Sequence, residues 1–241
     1  MFNNKTVVVT GAGSGIGRAI ARGFMAAGAR VALAGRTESS LAETAQDGST
    51  ESVLVHRCDV ADRASVASMV SSVEARFGPV DILVNNAGMN TSPRSVSEVE
   101  FDDWDRTIDV NLTGSFNCAR AVLPMMRERR CGIIINIAST AGLRTSDFAG
   151  AAYSAAKHGV VSLTYSINEE EQQFGIRACS ICPGETDTPI MDKRPVPPRP
   201  EQRAAMLKPE DVASAALFVA GLPPSACVPL LVIKPLYQQF G

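Results

Sequence analysis

The chain has 241 residues, enough to enclose one substantial core, and its 45% apolar and 20% charged residues are ordinary for a soluble globular domain. A net charge of −2, with Lys and Arg scattered rather than grouped, argues against nucleic acid or an anionic membrane as partner. No stretch has the length and apolarity of a membrane-spanning helix, and residues 1–10 lack the apolar run of a signal peptide, so a cytoplasmic location is expected.

Short apolar runs alternate with amphipathic stretches from the start. Strands are predicted at 6–9, 30–34, 52–56, 81–85, 132–137, 177–181 and 228–233, and helices at 16–27, 39–46, 63–77, 103–129, 152–174 and 209–220. The strands are rich in Val, Ile and Leu with little polar alternation, as expected for parallel strands buried on both faces. Strand–helix–strand repetition implies an α/β fold, one parallel seven-stranded sheet wound with helices on both faces, in a single domain spanning residues 1–241. Pro124 falls inside the fourth helix and predicts a kink. Five prolines between Thr188 and Pro200 rule out one regular helix there, and residues 188–206 fit either an active-site lid or an ordinary surface loop.

The six cysteines show no disulfide spacing. Cys179 and Cys182 spell C-x-x-C, but on a strand residues three apart face opposite ways, which makes them core cysteines rather than a metal or redox pair. His56 reads as part of a buried strand and His158 as pointing away from its helix's functional face. No Cys, His or carboxylate cluster has ligand spacing, so no metal is expected.

The first strand runs into Thr10-Gly11-Ala12-Gly13-Ser14-Gly15-Ile16-Gly17 and then a helix. A glycine-rich strand-to-helix turn lets the backbone approach a pyrophosphate, and the helix N-terminus adds unpaired N–H groups and positive dipole. At the end of the second strand stand Gly35 and Arg36. A carboxylate there would accept from a ribose 2′-hydroxyl and repel a 2′-phosphate, whereas a guanidinium grips the phosphate with two hydrogen bonds. Arg36 therefore points to NADP, with NAD possible.

Tyr153 and Lys157 lie four residues apart in a helix and share a face. An ammonium at ~4 Å and an effective dielectric of ~20 would favour the phenolate by on the order of 4 kcal/mol, about three pKa units before desolvation. Ser139 follows the fifth strand at its carboxyl end, where open α/β sheets bind ligands, and could donate to a substrate oxygen. Asn111 lies inside the long fourth helix, where its propensity is neutral at best, so it is either exposed or used.

Together, Thr-Gly-x-x-x-Gly-x-Gly at 10–17, Cys58-Asp59-Val60, Asn85-Asn86-Ala87-Gly88, Ser139, Tyr153-x-x-x-Lys157 and Pro183-Gly184-Glu185-Thr186-Asp187-Thr188-Pro189 resemble the short-chain dehydrogenase/reductase family. The likeness runs from Lys5 to about Pro235. It implies a Rossmann-type fold and hydride exchange between a nicotinamide and a carbonyl or secondary alcohol. It also assigns Asn111, Ser139, Tyr153 and Lys157 as the catalytic set, with Asn111 completing a water-linked proton relay. Gly11, Ser14, Gly15, Ile16 and Gly17 would hold the pyrophosphate turn, and Asp59 with Val60 the adenine. Asn86, Ala87 and Gly88 would border the cofactor, and Tyr153 and Lys157 would also contact it, the lysine through the nicotinamide ribose. Pro183 and Gly184 would border the nicotinamide, the Thr186 backbone would meet its carboxamide, and Thr188 would approach the pyrophosphate.

Two places depart from the pattern. Ser14 stands where many NADP-using relatives carry a second basic residue, and the chain lacks their Asp-Gly-Gly after the last strand. A homodimer or homotetramer is expected by the same likeness. Met89, Asn90, Ala141, Leu143, Phe148, Glu185, Ile190 and Met191 are candidate pocket residues, with Arg144, Lys193, Arg194, Arg199 and Arg203 as possible readers of an acidic substrate, although solvated surface suits each of these basic residues better. An epimerase or dehydratase, and a nucleotide-sensing scaffold without catalysis, are the alternative readings.

Overall fold

The computed structural model describes residues 2–145 and 148–238; the Lys193 side chain falls outside them. Seven parallel strands form one sheet in the order β3-β2-β1-β4-β5-β6-β7: β1 (Thr6–Thr10), β2 (Arg30–Gly35), β3 (Val53–Arg57), β4 (Ile82–Asn85), β5 (Gly132–Ile137), β6 (Ile176–Pro183) and β7 (Leu230–Ile233). Strand order reverses between β1 and β4, so the loops leaving their carboxyl ends diverge and open a crevice.

Alternation along the strands feeds two cores. Val7, Val9, Val31, Leu33, Ile135 and Ile181 pack on one side against α1 (Gly15–Ala26), α2 (Glu38–Ala45) and α8 (Pro209–Gly221). Val8, Ala32, Leu83, Ile134 and Ala178 pack on the other against α3 (Arg63–Phe77), α5 (Gly114–Arg129) and α6 (Ala151–Glu171). Cys179 belongs to the first core and Cys182 to a separate cluster with Val160 and Val161; both are buried free thiols, as the strand spacing predicted.

Edge position changes two expectations. The outermost strands β3 and β7 are only half-buried, with Val55 and Val232 exposed, because a sheet edge has a neighbour on one side alone. His56 is accordingly part-exposed rather than core.

The predicted helix at 103–129 is divided. Residues Phe101–Ile108 form α4, Asp109–Thr113 widen into a π-helical turn, and α5 follows without interruption at Pro124. The Asn111 amide donates to Thr107 O at 2.8 Å and to Met89 O at 2.9 Å, and Ser115 Oγ donates to Asn111 O at 2.9 Å. These side chains compete for backbone groups and hold the wide turn open.

The proline-rich segment is neither one helix nor a bare loop. It carries a 3-10 stretch at Pro189–Lys193 and a short helix α7 (Pro200–Ala205). Arg203 pins it by ion pairs with Asp187 at 3.3 Å and Asp192 at 2.9 Å.

Candidate active site

The Gly-rich turn is built by backbone geometry that needs glycine. Gly11 and Gly15 have φ of 64° and 51°, and a Cβ on Gly17 would lie 2.3 Å from both Gly11 O and the Asn86 amide nitrogen. Helix α1 opens with no side-chain cap on Ser14 and no acidic residue in its first turn. Its leading N–H groups thus present uncompensated positive charge to the crevice.

The Asn85–Gly88 element fastens this turn to the sheet. The Asn86 amide donates to Thr10 O at 3.0 Å and Gly11 O at 3.2 Å, while the backbone N–H groups of Asn86 and Ala87 both donate to Thr10 Oγ1 at 3.0 Å. Asn85 donates to Asn136 Oδ1 at 2.9 Å and Ser115 O at 3.1 Å, and Asn136 donates to Thr164 Oγ1 at 2.9 Å. A buried polar ladder therefore links β4, β5, α5 and α6, although Asn85 Oδ1 within it finds no partner among the described residues. Asn136 carried no sequence signal beyond being polar in an apolar strand.

At the other end, Ser139 leaves β5 and its Oγ accepts from Ala141 N at 3.1 Å. Gly150, with φ of 81°, caps α6; a Cβ there would meet Arg94 O at 2.8 Å, and Ala151 N donates to that same oxygen at 3.3 Å. This close approach fixes the start of the helix that carries Tyr153 and Lys157. Lys157 is buried, donates to Ile137 O at 2.8 Å and sits 5.5 Å from the Tyr153 ring centroid. Gly88 brings Asn111 and Lys157 to one spot: its Cβ would lie 2.8 Å from Asn111 Oδ1 and 3.7 Å from Lys157 Nζ.

The electrostatics differ from the simple Tyr–Lys argument. Burial pushes the Tyr153 phenol above its ordinary value, and a hydrogen bond with Ser139 and the charges of Arg94 and Arg194 only partly offset this. Lys157 lies over the ring rather than at the hydroxyl, and its own desolvation lowers it to about 8. Below pH 8 the native state must therefore hold a buried ammonium that the unfolded chain would solvate. Wild-type protein should gain stability relative to Lys157→Met as pH rises from 8 towards the ordinary lysine value of 10.5, because the unfolded state then binds the extra proton. Denaturant midpoints of the two proteins across this range check it; a constant difference would contradict the assigned burial.

A cleft of about 280 Å³ joins the two ends. It is lined by Gly11, Ser14, Gly15 and Ile16 at one end and by Ser139, Tyr153, Lys157, Pro183 and Gly184 at the other, with Asn86, Gly88 and Asn111 between. Thr186 and Thr188 also line it, and the Thr188 methyl approaches Gly15, 3.1 Å from where a Cβ would stand. Gly17 and Ala87 stand just behind this wall as packing and hydrogen-bonding support.

Asp59 and Val60 lie beyond β3, outside the cleft wall. Asp59 Oδ1 accepts from Ala61 N at 3.1 Å and Val60 O accepts from the Asn117 amide at 3.0 Å. Arg36 is exposed at the carboxyl end of β2, with no ion pair or hydrogen bond among the described residues. Arg18, by contrast, is engaged with Gly13 O, Thr44 and Glu43.

The pocket reading needs four changes. Arg144 is exposed and does not line the cleft, and Met89 and Leu143 pack into the cores instead. Two guanidiniums do reach the cleft: Arg194, and the unflagged Arg94, which is buried and donates to Thr91 O at 2.6 Å and Phe148 O at 2.9 Å. Gln238 also lines it, from a segment with no motif to flag it.

The short chain dehydrogenase family model matches residues 5–197. The chain belongs to that family. It is an oxidoreductase. D-beta-hydroxybutyrate dehydrogenase of Rhizobium meliloti is 39% identical over 239 residues, covering 90% of this chain and 92% of that protein. The closed form of a serine dehydrogenase complexed with NADP+ superposes with a TM-score of 0.90 at 32% identity, covering 98% of this chain and 96% of that one. A 3-ketoacyl-(acyl-carrier-protein) reductase from Brucella melitensis complexed with NADH gives 0.87 at 31% identity, covering 96% and 97%. These relatives place the chain among nicotinamide-dependent enzymes acting on small molecules. Among the described residues no helix is long and apolar enough to cross a membrane.

Proposed function

We propose that this enzyme uses NADP(H) to interconvert a small carbonyl compound and its secondary alcohol, with Tyr153 moving the proton. The observation that carries the reading is the convergence of Ser139, Tyr153 and Lys157 at one end of a cleft whose other end is the uncapped α1 N-terminus. Anion-binding backbone and acid–base side chains thus face one continuous space.

The residues fit a dinucleotide. Gly11 and Gly15 line the cleft at the start of helix α1, where a pyrophosphate would lie, and Pro183, Gly184 and Thr186 border the place for the nicotinamide beside Lys157. When bound, the dinucleotide supplies or accepts the hydride. Ser139 donates to the substrate oxygen, and the Tyr153 hydroxyl gives its proton to the developing alkoxide or takes one from the alcohol. Lys157 holds the ring and the ribose, while Asn111 fixes the widened turn that faces it. Asp59, followed by Val60, is assigned to the adenine end, and Thr188 to the pyrophosphate.

NADP is preferred over NAD in this reading because Arg36 is free to meet a 2′-phosphate while Arg18 is not. Titrating the protein with NADPH and NADH, followed by nicotinamide fluorescence, tests it without a substrate; equal affinities would refute the preference, and no binding of either would refute the site. Net cofactor oxidation with a carbonyl panel then separates a reductase from an epimerase or dehydratase, which would show none.

A homodimer or homotetramer completes the proposal. Trp104, Phe116 and Tyr165 on α4, α5 and α6 are exposed at 37%, 46% and 45%, large apolar side chains that a second copy could cover. Light scattering is expected to give a multiple of 25.5 kDa, and a monomer at micromolar concentration would refute this.

A further inference from the structure

The chain after β7 turns back over the catalytic cleft. Gly184 N donates to Ile233 O at 2.7 Å, Lys234 Nζ donates to Gln238 O, and Glu185 N donates to Gln238 Oε1 at 3.1 Å. These contacts bring Tyr237 to Glu185, where its hydroxyl donates to Oε2 at 2.5 Å. The other carboxylate oxygen, Oε1, accepts from Arg194 Nη1 at 2.8 Å. Arg194 in turn lies 5.1 Å from the Phe148 ring centroid.

One carboxylate therefore joins three segments: the tail, the loop after β6 and the proline-rich segment. It is a partition as well as a joint. On one side lies the cleft with Tyr153. On the other lies a second cavity of about 470 Å³, walled by Val196, Pro197, Pro198, Ala205 and Met206. Glu185 and Arg194 line both spaces.

The sizes give the partition a consequence. Ligand pockets run to roughly 300–1,000 Å³, so the neighbouring cavity of about 470 Å³ could take a substrate chain extending from the cleft if the partition opened. The neighbouring cavity is apolar along its prolines and Val196, yet it is closed off by a charged, fully hydrogen-bonded group.

Resting on the oxidoreductase reading above, we propose that the Tyr237–Glu185–Arg194 cluster is the specificity determinant of this enzyme, confining it to compact polar carbonyl substrates. Extended apolar substrates are disfavoured because their chains would have to displace a half-buried ion pair to reach the second cavity, leaving the Glu185 carboxylate against an apolar chain without its partners. Tyr237 acts at the wall, holding Glu185 in place, and takes no part in proton transfer.

The test uses the full chain with Tyr237→Phe, which removes only the donor, and Tyr237→Ala, which also opens space. A series of methyl ketones of increasing chain length is assayed with saturating cofactor. Wild type is expected to lose kcat/KM as the chain lengthens, and Tyr237→Ala to raise the long-to-short ratio by ~10-fold or more, the scale on which apolar pockets discriminate methylenes. An unchanged ratio in an active Tyr237→Ala protein overturns the proposal. Tryptic cleavage after Arg203 gives a readout independent of turnover: loss of the donor in Tyr237→Phe should speed it, and a wild-type rate in both variants overturns the proposal even if no ketone is reduced. Failure of wild type on every carbonyl with either cofactor would instead strike the proposed function, leaving the cleavage result to decide the wall.

Discussion

Replacing Tyr153 by phenylalanine is expected to lower kcat by ~10²–10⁴-fold, the range typical of a lost general acid–base group, while NADPH affinity stays near wild type. The substitution deletes one hydroxyl. The ring remains beneath Lys157, 5.5 Å from its ammonium, and α6 keeps the start fixed by Gly150 and Arg94. Binding should persist because the Tyr153 ring is kept and the other groups assigned to the dinucleotide (the glycine turn, Arg36, Asp59, Lys157 and Thr188) are untouched. The pH dependence follows from the direction of the shift: burial raises the phenol, so it is protonated at neutral pH, the state required to donate during carbonyl reduction. Reduction should accordingly be insensitive to this group near neutrality and fall once pH passes its pKa. Alcohol oxidation, which needs the phenolate, should rise with pH. Both dependences should vanish in Tyr153→Phe. Single-turnover measurements in both directions, beside a fluorescence titration of NADPH, check all of this. Wild-type rates in the mutant would end the assignment.

Much of this site is legible in sequence because its parts sit at ends of regular elements. Glycines 11, 15 and 17 must be glycines for steric reasons that a motif records directly, and the spacing of Tyr153 and Lys157 declares a shared helix face. The doubly wound sheet follows from the alternation of apolar runs, the Val and Ile of the inner strands finding one of the two cores. What stayed hidden depends on distance in the chain. Asn111 could be singled out as odd in a helix, but the π-helical turn it creates involves Met89, a residue 22 positions away. Arg94 looks like any loop arginine until Gly150 is seen packed against its backbone. Lys157 could be paired with Tyr153 on paper, yet the desolvation that governs both pKa values comes from their burial in the folded chain, which no local spacing reveals. Tyr237 and Gln238 belong to a tail without a motif, and only the turn after β7 brings them to Glu185.

Arg36→Ala is expected to weaken NADPH binding by roughly 1.5–3 kcal/mol, ~10- to 150-fold, the usual range for hydrogen bonds to a charged group, and to leave NADH almost unaffected. The asymmetry arises because the two dinucleotides differ only at the 2′ position, and Arg36 stands at the end of β2 next to Gly35, where no carboxylate competes for it. Exposure moderates the effect. A solvent-facing guanidinium is screened by salt, so the preference for NADPH should narrow as ionic strength rises and the Debye length falls from about 10 Å at 0.1 M to about 3 Å at 1 M. Lysine at this position should recover only part of the loss, since a point charge replaces attraction but not the paired geometry of a guanidinium on phosphate. Ser14 bears on the same question: the family's second basic residue is missing there, so on the proposed reading the removal of Arg36 should be more damaging than in a site with that second cation. Fluorescence titrations of wild type, Arg36→Ala and Arg36→Lys with both cofactors at two salt concentrations measure each of these effects. Equal losses for NADPH and NADH in Arg36→Ala would mean that this side chain never meets the 2′-phosphate.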